Sequence, residues 1–360
     1  MPGNVFGTEF RITTFGESHG KAVGVVIEGV TPGLELLESD IQQELDRRKP
    51  GQSEITTSRK ESDTVHIVSG VFESKAIGTP LTMIIFNEDA DSKSYENIKS
   101  LFRPGHADYT YYKKYGIRDY RGGGRSSGRE TIARVAAGAV AKKMLSKTGI
   151  KINAYVIKAA RIECKERDMS AIEKNIVKAC DETAAKAIVE KILKLKEEGN
   201  SAGGIVECKI SGVPADLGEP VFDKLDADIA KAMLSIGSVK GIEFGLGFKS
   251  ADITGKENND QMDKNGFLSN NSGGILGGIS TGQEILFRIA VKPTASIASE
   301  QKTIDINGNE VVCKIEGRHD PCICSRIVPV VEAMAAIVIV DHIKRVGKLY
   351  DFSHTRERVD

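Results

Sequence analysis

The sequence predicts an α+β fold, in which strands and helices follow one another irregularly along the chain. Three stretches carry apolar residues at every second position, as in a strand with one buried face. These are residues 23–27, 206–210 and 285–291. Four stretches have helical spacing, and these are residues 40–48, 130–145, 170–198 and 328–345. No strict strand–helix repeat and no linker divide them, so we expect one domain over residues 1–360, with a variable helical segment near residues 150–200.

Composition argues against several classes of protein. The 360 residues include 50 basic and 50 acidic side chains, and 40% of the residues are hydrophobic. This balance does not favour disorder, or a chain whose main task is to coat nucleic acid or an anionic membrane. The N-terminus lacks the pattern of a secretory signal. The longest apolar run, residues 327–340, is too short to span a bilayer and is interrupted by Pro329 and Glu332. It is predicted to be a buried helix.

The cysteines and one polar segment give two further predictions. The six cysteines lack the paired spacing of a zinc site, which favours reduced thiols in the cytoplasm and predicts no bound metal. Residues 254–274 are rich in Asn, Asp and Gly and are expected to form a mobile loop.

Positive charge is concentrated in one part of this neutral chain. Residues 101–150 contain eleven Lys or Arg against three Asp or Glu. Within this segment five arginines are interleaved with four glycines just before a predicted helix. They are Arg118, Arg121, Arg125, Arg129 and Arg134, with Gly122, Gly123, Gly124 and Gly128. Glycines permit close backbone approach, and arginines with a helix N-terminus bind anions. The pattern indicates a phosphate or carboxylate site; the alternative is a loop whose arginines face water or pair with nearby acids.

Two of the six histidines occupy positions suited to proton transfer. His19 lies in GESHG after a strand-like segment, and His106 lies in RPGHAD. Both adjoin glycines close to the predicted anion site, where an imidazole could exchange protons with a ligand. The alternative is that each is a satisfied polar residue. His66 resembles a strand residue, while His319, His342 and His354 have no catalytic context of their own.

Parts of the sequence resemble the motifs of three other functions. Residues 16–20 fit the nucleophile elbow of a serine hydrolase, with Asp320 and His342 as partners, but too little sequence precedes Ser18 for the strands of that fold. Residues 123–130 approximate a phosphate-binding loop, but they lack its lysine and its metal-binding hydroxyl. A nucleic-acid-binding protein stays possible at this stage, because tyrosines accompany the basic segment. They are Tyr109, Tyr111, Tyr112, Tyr115 and Tyr120.

Three long segments together resemble chorismate synthase. They contain the runs GESHGKAVGVVIEGVTPG, RPGHADYTYYKKYGIRDYRGGGRSSGRE and GRHDPCICSRIVPVVEAMAAIVIVDH. The resemblance extends over residues 1–345 and is weakest in residues 150–200. It implies helices sandwiched between two antiparallel sheets, a homotetramer, and the last step of the shikimate pathway to aromatic amino acids. In that reaction 5-enolpyruvylshikimate 3-phosphate loses phosphate and a ring proton in an anti-1,4 sense, and reduced FMN is required without net oxidation.

The resemblance also implies roles for individual residues. His19 would protonate the departing phosphate, His106 would manage the protonation of the flavin, and Asp320 would assist proton removal at flavin N5. The implied substrate-binding residues are arginines, namely Arg48, Arg59, Arg134 and Arg318. The implied flavin-binding residues are Arg48, Arg125, Ser126, Ser127, Gly237, Ser238, Gly277, Lys292, Pro293, Thr294, Ala295, Ser296 and Arg318.

One departure from the family pattern concerns nicotinamide chemistry. Glu54 stands where some family members have a basic residue implicated in contact with an anion or with NADP. The pattern Gly245-Leu246-Gly247 lacks the full dinucleotide fingerprint. We therefore expect a monofunctional enzyme that receives reduced flavin from elsewhere.

Overall fold

The computed structural model describes residues 3–89, 93–315, 317 and 319–347. The first part of the chain forms β1 (Val5–Phe6), β2 (Arg11–Gly16), β3 (Ala22–Glu28), α1 (Glu38–Arg48), β4 (Val65–Ser69), β5 (Val71–Phe72), β6 (Lys75–Ala76) and β7 (Leu81–Phe86). The middle part forms α2 (Asp108–Tyr115), α3 (Thr131–Leu145), β8 (Lys151–Ala159), β9 (Ile162–Glu163), α4 (Glu182–Glu197), β10 (Gly204–Ser211) and α5 (Leu225–Leu234). The last part forms β11 (Val239–Phe244), α6 (Gly255–Asn258), β12 (Met262–Asp263), β13 (Gly266–Phe267), β14 (Ile275–Leu276), β15 (Ile279–Ser280), β16 (Ile285–Val291), β17 (Gln301–Ile304), β18 (Glu310–Cys313) and α7 (Cys324–Arg345).

Two five-stranded sheets dominate the fold, and all of their strand pairs are antiparallel. The first has the order β1-β2-β3-β7-β4 and the second has the order β11-β16-β10-β8-β9. Val25 pairs with Met83 in the first sheet, and Cys208 pairs with Phe287 in the second. All four of these side chains are buried, because every second residue of each strand faces the interior.

Helices α3 and α7 fill the space between the sheets. Helix α3 packs on β2, β3 and β7 of the first sheet, α7 packs on β8 and β10 of the second, and the two helices pack on each other. Gly138 permits this approach, since a Cβ atom at that position would lie 2.3 Å from Cβ of Ala333. The expected arrangement of helices between two antiparallel sheets is therefore confirmed.

The sequence predicted most of the long elements. The predicted strands correspond to β3, β10 and β16, His66 lies in β4, and the helices predicted at residues 40–48, 130–145 and 328–345 correspond to α1, α3 and α7. Residues 327–340 lie within the buried helix α7, as expected. Within the described part of the chain, no helix is both long enough and apolar enough to cross a membrane. All six cysteines are buried free thiols.

The continuous helix predicted for residues 170–198 is wrong. A single 3₁₀ turn, Met169–Lys174, is separated from α4 by an irregular segment. Asn175 explains the break, because its side chain donates to the carbonyl of Ala171 and both donates to and accepts from the backbone of Ala179. Asp181 then accepts from the amide of Ala184 and begins α4. Such local side-chain bonds compete with helical ones.

Short elements also occur in residues 254–274, which were predicted to form a mobile loop. Helix α6 and the β12–β13 hairpin lie here. Asp260 accepts hydrogen bonds from Ser269 Oγ at 2.6 Å and from the amides of Asn271 and Ser272. This carboxylate organises a segment whose composition alone indicated no structure.

Glu332 in α7 joins the central elements of the fold. Its side chain is 5% exposed and accepts a two-pronged contact from Arg47 of α1, at 2.6 and 3.2 Å, and a 2.7 Å contact from Lys142 of α3. It also accepts from the amide of Ala154 in β8. Burial alone would raise the pKa of Glu332, but Lys142 and Arg47 outweigh it and lower the pKa from 4.5 to about 2.

This pKa predicts an acid-dependent loss of stability. Because the pKa of Glu332 is lower in the folded than in the unfolded chain, its ionised form stabilises the fold above about pH 5. That contribution, about 3 kcal/mol, should be lost as the pH falls from about 5 towards 2. In urea unfolding at pH 7 the variant Glu332→Gln should be less stable than the parent, and the gap should narrow with falling pH.

The control is Glu197→Gln, which removes the same charge at the exposed end of α4 and should follow the parent at every pH. A gap between Glu332→Gln and the parent that stays constant from pH 7 to pH 3 would contradict the assignment.

Candidate active site

A cavity of about 1000 Å³ lies beside the N-terminal end of α3. Its described lining comes from the β2–β3 loop, the segments that precede α2 and α3, the α5–β11 connection, the residues after β16 and the residues before α7. These lining residues include nine basic side chains against three acidic ones. The basic ones are Arg59, Arg103, Arg125, Arg129, Arg134, Lys231, Lys240, Lys292 and Arg326. The cavity is therefore suited to a ligand of several negative charges.

Most of the sequence-predicted site residues line this one cavity, although they are distant in the chain. His19, His106 and Asp320, the three predicted catalytic residues, all do so. The predicted ligand-binding residues that join them are Arg59, Arg125, Ser126, Ser127, Arg134, Gly237, Ser238, Lys292, Thr294, Ala295 and Ser296.

Three predicted binding residues are not part of the described lining. Gly277 lies in the turn between β14 and β15, and Pro293 lies between two lining residues. Arg318 falls outside the described residues. Arg48 is only 1% exposed and lies behind the wall.

Arg48 supports the wall through a buried ion pair. Its Nη2 lies 2.7 Å from Oδ2 of Asp63, a carboxylate with no exposed surface, and its Nη1 donates to the carbonyl of Gly128. Burial lowers the pKa of Arg48 to about 10, although Asp63 opposes this change. Arg48 thus contacts the turn that precedes α3, and its binding of a ligand stays a prediction.

The basic segment of residues 101–150 is divided between cavity and surface. Arg125, Arg129 and Arg134 line the cavity, whereas Arg121 is exposed and paired with Asp119. Arg118 is nearly buried and lies 3.1 Å from Asp108. Three of the five arginines therefore line the cavity, as expected for an anion site, and the other two pair with nearby acids, as the alternative predicted.

Arg125 and Arg134 are held firmly at the start of α3. Arg125 Nη2 donates to Thr14 Oγ1 at 2.6 Å, and its Nη1 donates to the carbonyl of Gly16. Arg134 Nε donates to Glu130 at 2.8 Å, one helical turn earlier. Guanidinium groups fixed in this way lose little side-chain entropy when an anion binds.

The loop that carries His19 is anchored from two sides. Asn87 Nδ2 donates to the carbonyls of Glu17 at 3.1 Å and Gly20 at 2.8 Å, while Arg129 Nε donates to Oδ1 of Asn87. The His19 ring stands edge-on to Tyr95 with centroids 5.1 Å apart. Hence the imidazole is presented by a rigid turn.

Ser18 does not have the surroundings of a hydrolase nucleophile. It is 2% exposed, and its Oγ accepts from the amide of Gly123 at 3.3 Å. His342, the proposed triad base, lies in α7 and pairs instead with Asp228 at 2.9 Å. The rejection of the nucleophile-elbow motif agrees with this geometry.

His106 is held through a carboxylate at the first residue of α2. Its Nδ1 lies 2.9 Å from Oδ1 of Asp108. Arg103 grips the same carboxylate through Nε at 2.7 Å and Nη2 at 2.8 Å. Burial lowers the pKa of His106, and Arg103 and Lys292 add to that effect, while Asp108 opposes it. The ring is therefore mostly neutral at neutral pH.

His319 is a cavity residue whose importance the sequence did not reveal. Burial, reinforced by the positive charge of Arg103, lowers its pKa to about 4, so it is neutral at physiological pH. In the described part of the chain its buried Nε2 has no hydrogen-bond partner. Its place beside Asp320 in GRHDPC was the signal that could have identified it.

Asp320 is fixed on both of its oxygens. Oδ1 accepts from the amide of Thr57 at 2.9 Å, and Oδ2 lies 2.5 Å from Nη1 of Arg326. The second of these contacts comes from an arginine of α7, a helix that the sequence predicted only as core. The carboxylate thus keeps one orientation at the wall of the cavity.

Comparisons with known proteins agree on one family. A family model described as chorismate synthase matches residues 10–344. Chorismate synthase of Methanosarcina mazei is 55% identical over 356 residues, which covers 96% of this chain and 98% of that protein. Chorismate synthase of Chloroflexus aurantiacus is 53% identical over 350 residues, with 96% of each chain covered. A solved crystal structure of chorismate synthase superposes with a TM-score of 0.75 at 32% identity, covering 95% of this chain and 93% of the other.

The contact between Gly122 and His19 gives a test of the site. A Cβ atom at Gly122 would lie 2.5 Å from Cδ2 of His19 and 2.8 Å from Oγ of Ser18. The variant Gly122→Ala must displace the imidazole, so its turnover number should fall about 10- to 100-fold. Steady-state rates at saturating substrate would show this loss.

Gly124→Ala is a matched control. Gly122 and Gly124 both have positive φ, +66° and +52°, so alanine strains the backbone at each, but at Gly124 no atom lies within 4 Å of the new methyl. The control should lose much less activity. Equal losses in the two variants would show that backbone strain, and not the ring position, is responsible.

Proposed function

The chain belongs to the chorismate synthase family, lyases of the shikimate pathway to aromatic amino acids, and we propose that its basic cavity holds 5-enolpyruvylshikimate 3-phosphate and reduced FMN together. The observation that carries this proposal is the meeting of nine basic side chains with His19, His106 and Asp320 around one cavity. The substrate has two carboxylates and a phosphate, which amounts to about three to four negative charges, and the flavin phosphate adds more. Clustered guanidinium groups neutralise such charge well.

The cavity also fits a flavin. Its volume, about 1000 Å³, is at the upper end of the range for small-molecule sites and has room for two ligands. Rigid arginines and lysines can bind a phosphate, and the buried Nε2 of His319 offers a polar atom that needs a partner. We propose that the flavin-binding residues are those that the resemblance indicated and that line the cavity, from Arg125 to Ser127, at Gly237 and Ser238, at Lys292, and from Thr294 to Ser296. Reduced FMN, when bound, supplies electron density to the reacting ring and a proton-accepting nitrogen, N5.

The elimination breaks two bonds from ring carbons to their substituents and adds one double bond to the ring. The bond between carbon and the phosphate oxygen breaks, a ring C–H bond breaks on the opposite face, and a conjugated diene results. One phosphate and one proton leave, so the overall reaction has no net oxidation. The residues must therefore stabilise a departing anion and receive one proton.

Each predicted catalytic residue has a task in this scheme. His19 donates a proton to the departing phosphate, while Arg59 and Arg134 bind the anionic groups of the substrate. With the flavin bound, His106 would exchange a proton with it, and Asp320 would assist removal of the proton at N5. Thr57 and Arg326 keep the carboxylate of Asp320 oriented for that step.

We further propose that the enzyme works in the cytoplasm as a homotetramer that receives reduced flavin from a separate, NADP-linked reductase. The family resemblance supports the first two statements. Exposed apolar side chains on the first sheet, Phe15, Val68 and Phe86, are 38%, 56% and 54% accessible and would suit contact with another subunit. The incomplete dinucleotide pattern at residues 245–247 supports an external source of reduced flavin.

An anaerobic assay tests this function. Purified protein with reduced FMN and 5-enolpyruvylshikimate 3-phosphate should release one phosphate for each chorismate formed, followed by phosphate assay and by chorismate absorbance. Oxidised FMN should support no release. Equal release with oxidised and reduced flavin would refute the flavin requirement, and no release with either would refute the function.

The same assay tests the histidine roles. His19→Ala and His106→Ala should each lower turnover by roughly 10²- to 10⁴-fold. His66→Ala removes an exposed imidazole from β4, outside the lining, and should keep the parent rate. Near-normal turnover in both cavity variants would refute the proposed roles of His19 and His106, but it would not refute membership of the chorismate synthase family.

A further inference from the structure

Asp108 is a buried carboxylate that no catalytic step above uses. It is 6% exposed and lies behind the cavity wall at the N-terminal end of α2, two residues after His106. Its two oxygens contact polar groups of Arg103, His106 and Arg118. Oδ2 accepts from Nε and the amide of Arg103, and Oδ1 accepts from Nη2 of Arg103 and lies near His106 Nδ1 and Arg118 Nη1.

We propose that Asp108 is a positioning residue that holds His106 in the tautomer protonated at Nδ1, so that Nε2 is the ring atom that exchanges protons with a ligand in the cavity. This proposal deepens the proposed function and rests on its role for His106. An ionised carboxylate can only accept hydrogen bonds. A ring nitrogen 2.9 Å from it must therefore be a donor.

The ionised state of Asp108 follows from its surroundings. Burial alone would raise the pKa of Asp108, but hydrogen bonds from Arg103 and His106 lower it far below its ordinary value. Arg103 holds the carboxylate by two parallel bonds, and Arg118 adds a second positive charge at 3.1 Å. These contacts fix the orientation of the Asp108 carboxylate, and the carboxylate in turn fixes the orientation of the His106 imidazole.

Other charges near His106 favour a neutral imidazole. Arg103 and Lys292 disfavour a second proton on the ring, and Lys292 Nζ also fixes the loop by donating to the carbonyl of Gly105 at 2.9 Å. The resting ring then presents a lone pair at Nε2. When it accepts a proton there, the imidazolium is stabilised by Asp108, whose negative charge is 2.9 Å away.

Arg103 also contacts the residues that surround the other proposed catalytic histidine, His19. Its Nη2 donates to the carbonyl of Gly122 at 2.7 Å, and Gly122 is the residue against which the His19 ring packs. Arg103 also lies over the Tyr95 ring, 5.9 Å from its centroid, while Tyr95 contacts His19 edge-on. Asp108 and Arg103 thus form one unit that sets the positions of both histidines.

The native protein provides the first test. In ¹⁵N NMR of protein labelled at histidine, the signals of His106 can be identified by their loss in His106→Gln. At neutral pH, Nδ1 should give the shift of a protonated ring nitrogen and Nε2 that of an unprotonated one. The reverse assignment would overturn the proposal. Free neutral histidine favours the proton on Nε2, so the expected result is specific, and it needs neither flavin nor activity.

Asp108→Asn provides the second test. The carboxamide carries no charge and accepts hydrogen bonds on one side only, so it binds a donor at Nδ1 less strongly than the carboxylate does, and the ring is free to take the Nε2-protonated tautomer that free histidine prefers. The ¹⁵N signals should exchange character, and kcat should fall about 10²-fold or more with a smaller change in KM. Asp108→Glu, which keeps a carboxylate, should retain the native tautomer and recover part of the rate.

Asp46→Asn is the control, because it removes an exposed carboxylate paired with Lys49 in α1. It should leave the His106 signals and the rate unchanged. Unaltered signals and kcat in folded Asp108→Asn would refute the positioning role. If that variant does not fold, the native spectrum alone decides. A native protein with the expected tautomer but no chorismate formation would refute only the proposed function.

Discussion

Pairing of buried charge is the constraint on which the active site depends. Asp63 and Glu61 have side chains with no exposed surface, and they are neutralised by Arg48, Arg129 and Arg59 at 2.7, 2.8 and 2.5 Å. A buried charge is costly unless it is paired and hydrogen-bonded. These acids therefore hold the arginines of the cavity in place, yet the described lining keeps an excess of positive charge. Through Asn87, the same network reaches the loop of His19.

The two-sheet architecture brings these distant segments together. Helix α3 is apolar enough to lie between the sheets, and the segment just before it carries Arg125 and Arg129 to the cavity. Helix α7 packs on α3 and contributes Arg326, while Asp320 lies just before α7. The same two helices therefore pack the core and place charged residues at the cavity.

The sequence predicted several periodic elements and the local motifs. Strands β3, β10 and β16 followed from alternation, His19 and His106 followed from their glycine-bordered positions near the basic segment, and Asp320 followed from the family resemblance. Residues whose role depends on a partner far along the chain were missed. Arg103 donates a hydrogen bond to Gly122, Asp63 pairs with Arg129, and Nε2 of His319 is buried at the cavity. None of these relations produces a periodic pattern in the sequence. The break at Asn175 was missed because one side chain, and no change in apolar spacing, ends the helix.

The decisive measurement is a structure of the protein with both FMN and 5-enolpyruvylshikimate 3-phosphate bound. Both molecules should lie in the one basic cavity. The phosphate and carboxylates of the substrate should lie within hydrogen-bond distance of guanidinium groups, His19 beside the phosphate, and His106 and Asp320 beside the flavin. Binding of either molecule outside this cavity, or anionic groups turned away from the arginines, would contradict it.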